Sequence, residues 1–159
     1  MADKSASKED RAEALKFVVH FVGDLHQPLH CAERNKDKGG NGRLVFFLDR
    51  KKAVNLHQVW DTQNLLSDKG KLKIADYAEK LSAKIGKADI AKWKSGTATD
   101  WANDSHRVAV EKVYAGVPVD GAPPKLGTDY VEKNAIVLEE QLEKGGIRLA
   151  TVLNRAFGK

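Results

Sequence analysis

The stretch that decides the fold reads HFVGDLHQPLH over residues 20–30, and a related pattern, NLHQVWD, follows over residues 55–61. Each stretch places a His four residues before an Asp, in the pairs His20/Asp24 and His57/Asp61. Four residues of an α-helix turn the chain by about 400°, so the side chains of each pair project from one face about 6 Å apart. This separation suits the chelation of a metal ion.

With a third His, the two pairs offer five candidate metal ligands: His20, Asp24, His30, His57 and Asp61. Zinc accepts imidazole nitrogen and carboxylate oxygen, and the same set suits manganese or iron. A lone His/Asp pair on a helix is more often a surface hydrogen bond than a metal site. The residues around His20 are apolar on almost every side, where an unpaired imidazole is costly. We therefore expect a metal ion or a tight ion pair to neutralise the first pair.

Both stretches, with the Gly39-Gly40-Asn41 loop between them, resemble the zinc-dependent single-strand nucleases of the S1/P1 type. The likeness continues through residues 101–105 and 141–154. It implies a mainly α fold, a phospholipase C/nuclease-like helical domain with a cleft for up to three zinc ions. It also implies hydrolysis of phosphodiesters in single-stranded DNA and RNA, and removal of 3′-phosphates from nucleotides.

The resemblance also implies which residues hold each ion. His20 and Asp24 match two ligands of a first zinc, and Asp24 also reaches a third ion. His30, His57 and Asp61 match the complete protein ligand set of a second zinc. One fully liganded zinc site is therefore expected.

The Gly39-Gly40-Asn41 loop has two interpretations of about equal weight. By resemblance it binds substrate: glycines let a base or phosphate approach the backbone, and the Asn41 amide can hydrogen-bond a nucleobase edge. Alternatively, it is an ordinary turn.

The start of the chain departs from the family pattern. Family members carry a longer segment before the first motif, with a Trp, further His and Asp ligands and the catalytic Asp. Only 16 residues precede Phe17 here, and none is His or Trp. We therefore expect residues 1–159 to form a single domain that lacks this N-terminal segment and its catalytic residue. Impaired activity and self-association through apolar surface are expected with it.

The composition is compatible with these expectations. Of 159 residues, 42% are hydrophobic, enough for one helical core, and the formal charge of +5 favours a polyanionic partner. A single cysteine, Cys31, excludes an internal disulfide and is typical of a small buried residue. The sequence shows no signal peptide or membrane-spanning stretch, so no membrane partner is expected. The resemblance implies a secreted or periplasmic protein.

Hydrophobic spacing predicts helices joined by one hairpin. The expected elements are a central buried helix from Ser7 to about Gln27 that Pro28 ends, a hairpin of 44–48 with 53–54, a helix capped by Asn55, and a last helix of 130–157 bent at Gly145-Gly146. Further helices are expected over 74–85 and from Thr97 or Thr99 to Gly116. His26 is predicted to be a hydrogen-bonding residue in the core or behind the metal ligands, and His106 to be structural or on the surface. Trp60 is predicted to pack in the core rather than to stack on nucleic-acid bases.

Two other functions remain open. One is a zinc phospholipase C, which shares similar His and acidic spacing on a related fold. The other is a zinc-binding or nucleic-acid-binding fragment without catalytic activity. The stretch 55–61 and the Gly39-Gly40-Asn41 loop favour the nuclease over the phospholipase.

Overall fold

Helices make up most of the chain in a computed structural model that describes residues 1–158. In chain order the elements are α1 (Lys8–Asp24), a 3-10 turn (Pro28–Cys31), β1 (Leu44–Phe47), β2 (Val54–Asn55), α2 (Leu56–Gln58), a first π-helical turn (Val59–Gln63), α3 (Asn64–Lys69), α4 (Ile74–Ser82), α5 (Lys87–Trp93), α6 (Ala98–Val108), a second π-helical turn (Ala109–Val113), β3 (Lys125–Leu126) and α7 (Thr128–Phe157). The prediction of a mainly α fold is confirmed.

Helix starts follow the capping chemistry of the sequence. The Ser7 hydroxyl accepts a hydrogen bond from the Asp10 amide at 3.0 Å and begins α1. The Asn55 side chain accepts from the Gln58 amide at 2.6 Å and begins α2, which carries His57. Thr97 forms a capping box with Asp100 at the start of α6. These starts agree with the predictions.

A small sheet has the strand order β2-β1-β3. β1 pairs antiparallel with β2, with Leu44 opposite Asn55, which confirms the predicted hairpin. β3 was not predicted, because two residues in a loop rich in Pro and Gly carry no periodic pattern. It pairs parallel with β1, and the Leu48 amide donates to the Leu126 carbonyl at 2.8 Å.

The main core lies between this sheet, the 3-10 turn, both π-helical turns and α7. Its buried side chains include Leu29, Val45, Leu56, Val59, Trp60 and Val113. Trp60 is 2% exposed, and its indole N–H donates to the Tyr130 hydroxyl at 2.9 Å. Trp60 is therefore a core residue, as predicted. The shared core supports a single domain, which stays a prediction.

The prediction that α1 is a central buried helix is wrong. Among its residues only Val22 is buried, while Phe17 and Phe21 are 51% and 56% exposed and stack on each other. α1 packs on α7 through one face, and its apolar residues continue around the others. Apolar spacing on nearly every side does not identify which face the fold covers. α1 also ends at Asp24, three residues before the predicted Gln27.

A buried polar cluster behind α1 joins its end to α5, α6 and α7, since Arg148 of α7 also donates through Nε to the Trp93 carbonyl of α5 at 3.1 Å. The Arg148 guanidinium is 4% exposed, donates to Asp104 Oδ2 at 2.8 Å and lies 3.0 Å from His26 Nε2. His26 Nδ1 lies 2.7 Å from the Val22 carbonyl, so this nitrogen carries the hydrogen and Nε2 accepts from Arg148. Burial lowers the pKa of His26 to about 4, which keeps the ring neutral. His26 is thus a core residue, as predicted.

α7 runs without interruption through Gly145-Gly146, where a bend was expected. The buried Gly145 lies directly under the His26 ring, and a Cβ there would meet His26 Cγ at 3.4 Å. The close packing of α1 on α7 therefore accounts for this glycine.

Candidate metal centre

Three of the five predicted ligands come together from three neighbouring elements. His30 lies on the 3-10 turn, while His57 and Asp61 lie on α2 and the first π-helical turn. One ligand atom from each residue lies within 4.8 Å of the others. Among residues 1–158, no other set of three or more His, Cys, Asp or Glu side chains lies this close together. The His30 and His57 rings stack with their centroids 5.0 Å apart.

The main chain and Asp24 determine which nitrogen of His30 is free. His30 Nδ1 lies 2.9 Å from Asp24 Oδ1 and 3.1 Å from the Asp24 carbonyl oxygen. Both oxygens can only accept, so Nδ1 carries the hydrogen. In the neutral ring, Nε2 then keeps its lone pair, and it faces Asp61 Oδ1 at 3.3 Å.

His57 is oriented in the same way by the glycine loop. Its Nδ1 donates to the Gly39 carbonyl oxygen at 2.7 Å, which leaves Nε2 facing Asp61 Oδ2 at 3.4 Å. A hydrogen bond at the second ring nitrogen that fixes the tautomer is typical of metal-ligating histidines.

In their neutral forms, both imidazoles direct an Nε2 lone pair at the Asp61 carboxylate. Two lone pairs directed at an anion repel it unless a cation lies between them, so the arrangement favours binding of a cation. Two imidazole nitrogens and one carboxylate oxygen form a donor set of open zinc sites. The residues present therefore fit a zinc ion.

The first predicted pair is not assembled in the same way. Asp24 contacts His30, whereas His20 lies one helical turn earlier, is exposed and packs against the edge of Phe21. The expectation that burial forces a metal ion or a tight pair onto His20 is wrong, because α1 leaves this face open. The roles of His20 and Asp24 as ligands stay predictions.

A cleft of about 570 Å³ lies beside the ligand group, between α1 and α7. His20, Asp24, His30 and Asp61 line one side of it, and apolar residues of α7 such as Leu138, Leu142 and Leu149 line the other. A cleft of about 910 Å³ at the start of α7 is larger but has no His lining it. The ligand group therefore favours the smaller cleft as the functional site.

The glycine loop lies against the back of the ligand group. Gly39 and Gly40 have positive φ angles of 61° and 80°, and both are buried. The Asn41 side chain donates to the Lys38 carbonyl at 2.9 Å. What the loop does in this structure is hold His57. Contact of Gly39, Gly40 or Asn41 with substrate stays a prediction.

We expect Gly39→Ala to destabilise the fold by about 3 kcal/mol, because a left-handed residue with a Cβ costs about 1–2 kcal/mol before any clash. Here the Cβ would also lie 2.6 Å from the Leu29 carbonyl oxygen. Urea unfolding of the parent and variant measures the difference. Gly158→Ala is the control for the backbone cost, since Gly158 is left-handed with φ 75° and ψ 31° and nothing lies within 4 Å of an added Cβ. Equal losses in both variants would contradict the clash.

Sequence reasoning missed several parts of the centre. Gln27 was not singled out, yet its side-chain Nε2 donates to Asp61 Oδ1 at 2.7 Å. The carbonyls of Asp24 and Gly39 were missed too, because a backbone acceptor leaves no residue-type signal. Cys31 is half-buried with its thiol 3.4 Å from the Leu25 carbonyl, and His106 is exposed with Nδ1 2.9 Å from the Cys31 carbonyl. Both agree with the predicted structural roles.

Comparison with known proteins gives consistent matches. The sequence model of a family described as S1/P1 Nuclease matches residues 1–158. Endonuclease 2 of Arabidopsis thaliana is 32% identical, over 99% of this chain and 56% of its own length. Nuclease S1 of Aspergillus oryzae is 32% identical, over 95% of this chain and 56% of its own length. Nuclease P1 of Penicillium citrinum is 33% identical over 99% and 63%. The chain thus spans little more than half the length of these relatives.

Proposed function

Because the chain belongs to the S1/P1 nuclease family, we propose that it takes part in zinc-dependent hydrolysis of phosphodiesters in single-stranded DNA and RNA. Removal of 3′-phosphates from nucleotides is part of the same proposal. The observation that carries it is the group of His30, His57 and Asp61 beside an open cleft. Relatives named as nucleases and endonucleases support this reaction over that of a phospholipase.

In this proposal the two histidines hold zinc through Nε2 and Asp61 holds it through its carboxylate. Zinc supplies Lewis-acid activation of water and of the phosphoryl group when bound. Asp24 and the Gly39 carbonyl each accept a hydrogen bond from the Nδ1 of one imidazole, which orients both rings with Nε2 toward Asp61. The formal charge of +5 increases the local concentration of a polyanionic strand.

Other ions and contacts extend the proposal. A second zinc at His20 and Asp24, and a third that shares Asp24, are supported by the position of both side chains on the wall of the cleft. Substrate contact at the Gly39-Gly40-Asn41 loop is supported by the exposed Asn41.

The location and the self-association of the protein are also proposals. The family resemblance implies export to the periplasm or the outside of the cell. Self-association is supported by three exposed apolar side chains on α1, Phe17, Val19 and Phe21. No helix in residues 1–158 combines the length and apolar character that crossing a bilayer requires.

We expect zinc-dependent cleavage of a fluorescent single-stranded oligonucleotide, with little cleavage of the same sequence as a duplex. Excess chelator should abolish it, and Asp61→Asn should lower the rate by more than about tenfold, because loss of even an outer partner of a metal ligand costs about 10–100-fold. Asp49→Asn is the control, since that side chain is 98% exposed and pairs with Lys125.

Three outcomes separate the alternatives. Zinc binding without cleavage of any strand would indicate a non-catalytic binding protein. Turnover of a short-chain phosphatidylcholine in place of DNA would indicate a phospholipase. Absence of zinc binding would contradict the proposed centre itself.

A further inference from the structure

Gln27 links two of the elements that supply the proposed ligands, the 3-10 turn and the first π-helical turn. It precedes the 3-10 turn that carries His30, in an extended conformation, and its side-chain Oε1 accepts from the Leu29 amide at 2.6 Å. The other end of the amide, Nε2, donates to Asp61 Oδ1 at 2.7 Å. The orientation of the amide follows from its partners, since Leu29 N–H can only donate and the Asp61 carboxylate can only accept.

This contact restrains an otherwise mobile ligand. The Asp61 side chain is 40% exposed, and its remaining neighbours are the two Nε2 atoms that face it. Among the described residues, Gln27 is the one side chain that donates a hydrogen bond to this carboxylate when both imidazoles are neutral. Without it, rotation of the carboxylate into solvent would remove an oxygen from the ligand group.

We propose that Gln27 is a positioning residue, which holds Asp61 in the orientation that binds the metal ion and ties it to the turn that carries His30. The inference rests on the proposed zinc centre. Outer partners of metal ligands contribute about 10–100-fold to metal affinity. Loss of the Gln27 contact is therefore expected to weaken zinc binding by about tenfold.

A purely structural role as the cap of the 3-10 turn is the competing explanation. Gln27→Asn separates the two roles without a change of charge. Asn caps a turn well through its side-chain oxygen and an amide two residues ahead, so contact with Leu29 N is kept. The shorter side chain falls about 1.5 Å short of Asp61, since it lacks one carbon–carbon bond.

The experiment has three readouts. Chelator competition gives the zinc affinity, and thermal unfolding in excess chelator gives the stability of the metal-free protein. The visible absorption of bound cobalt reports the coordination geometry. Parent, Gln27→Asn, Gln27→Met and Gln58→Asn are compared. Gln58 is exposed beside His57 and undergoes the same chemical change as Gln27, so it is the matched control.

We expect Gln27→Asn to lose about tenfold in zinc affinity and to alter the cobalt spectrum, with unfolding in chelator unchanged. Gln27→Met, which loses both contacts, should lower the affinity and the stability of the metal-free protein. Gln58→Asn should match the parent throughout. Parental affinity in Gln27→Asn, or a loss of affinity with a parental cobalt spectrum and reduced metal-free stability, would overturn the positioning role. A parent that binds no zinc would overturn the proposed centre, and this inference with it.

Discussion

Replacing His57 by alanine is expected to lower zinc affinity by more than about 100-fold, which is the upper range for loss of an outer partner of a metal ligand. His57 supplies one of three protein atoms in the group, so its removal leaves only His30 and Asp61 on the ion. Zinc titration against a chromophoric chelator, with elemental analysis of the purified protein, measures the loss. The stabilisation that zinc confers on thermal unfolding should disappear with it, because an ion that binds only the folded state stabilises by mass action.

The control for this variant is His106→Ala. His106 also places Nδ1 on a backbone carbonyl, that of Cys31 at 2.9 Å, but it does not belong to the ligand group. We expect its zinc affinity to match the parent. Equal zinc in His57→Ala and the parent would refute the assignment of the centre.

The second large effect is on folding. Asp104→Ala is expected to destabilise the protein by about 1–3 kcal/mol, because it leaves a buried guanidinium without its carboxylate, while the Asp104 side chain itself is 29% exposed. The residue left without its partner is Arg148, which is 4% exposed on α7. Urea unfolding at neutral pH measures the difference. Asp49→Ala is the surface control, where loss of the pair with Lys125 should cost about 0–1 kcal/mol.

This prediction has a pH dependence of definite sign. Burial opposes ionisation of Asp104, but hydrogen bonds from Arg148 and Arg107 outweigh it and lower the pKa of the carboxyl below its ordinary 3.8. A carboxyl whose pKa is lower in the folded state than in the unfolded state contributes its full stabilisation above the unfolded pKa. This contribution is lost as the pH falls through the folded pKa. The difference between parent and Asp104→Ala should therefore be constant near neutrality and shrink below about pH 3.8. A difference that grows in acid would contradict the ion pair.

The second predicted pair, His57 and Asp61, could be placed from the sequence alone. Asn55 is a strong capping residue, and the helix it begins carries a His and an Asp at chelating separation. All of this information is local, so the sequence contains it. The hairpin before Asn55 is local in the same sense.

The environment of the first predicted pair, His20 and Asp24, could not be predicted. An apolar pattern around His20 is compatible with burial or with an open face, and only the packing of α1 on α7 distinguishes them. The contact of Gln27 with Asp61 joins residues 34 positions apart. The Arg148 cluster likewise depends on four helices meeting, which no pattern within one helix reports.

The first π-helical turn has a consequence for the length of the chain at this point. A π-helical turn holds one residue more than an α-helical turn, so it changes the phase between the helix before it and the helix after it. The part before the turn directs His57 toward His30, while α3 after it packs on α7. Deleting one residue between Val59 and Gln63 could leave a regular helix, but each later side chain would rotate by about 100°. Chain length in this segment is therefore constrained in addition to the identity of Trp60 and Asp61, because an insertion or deletion here would separate the ligand group from the core beneath it.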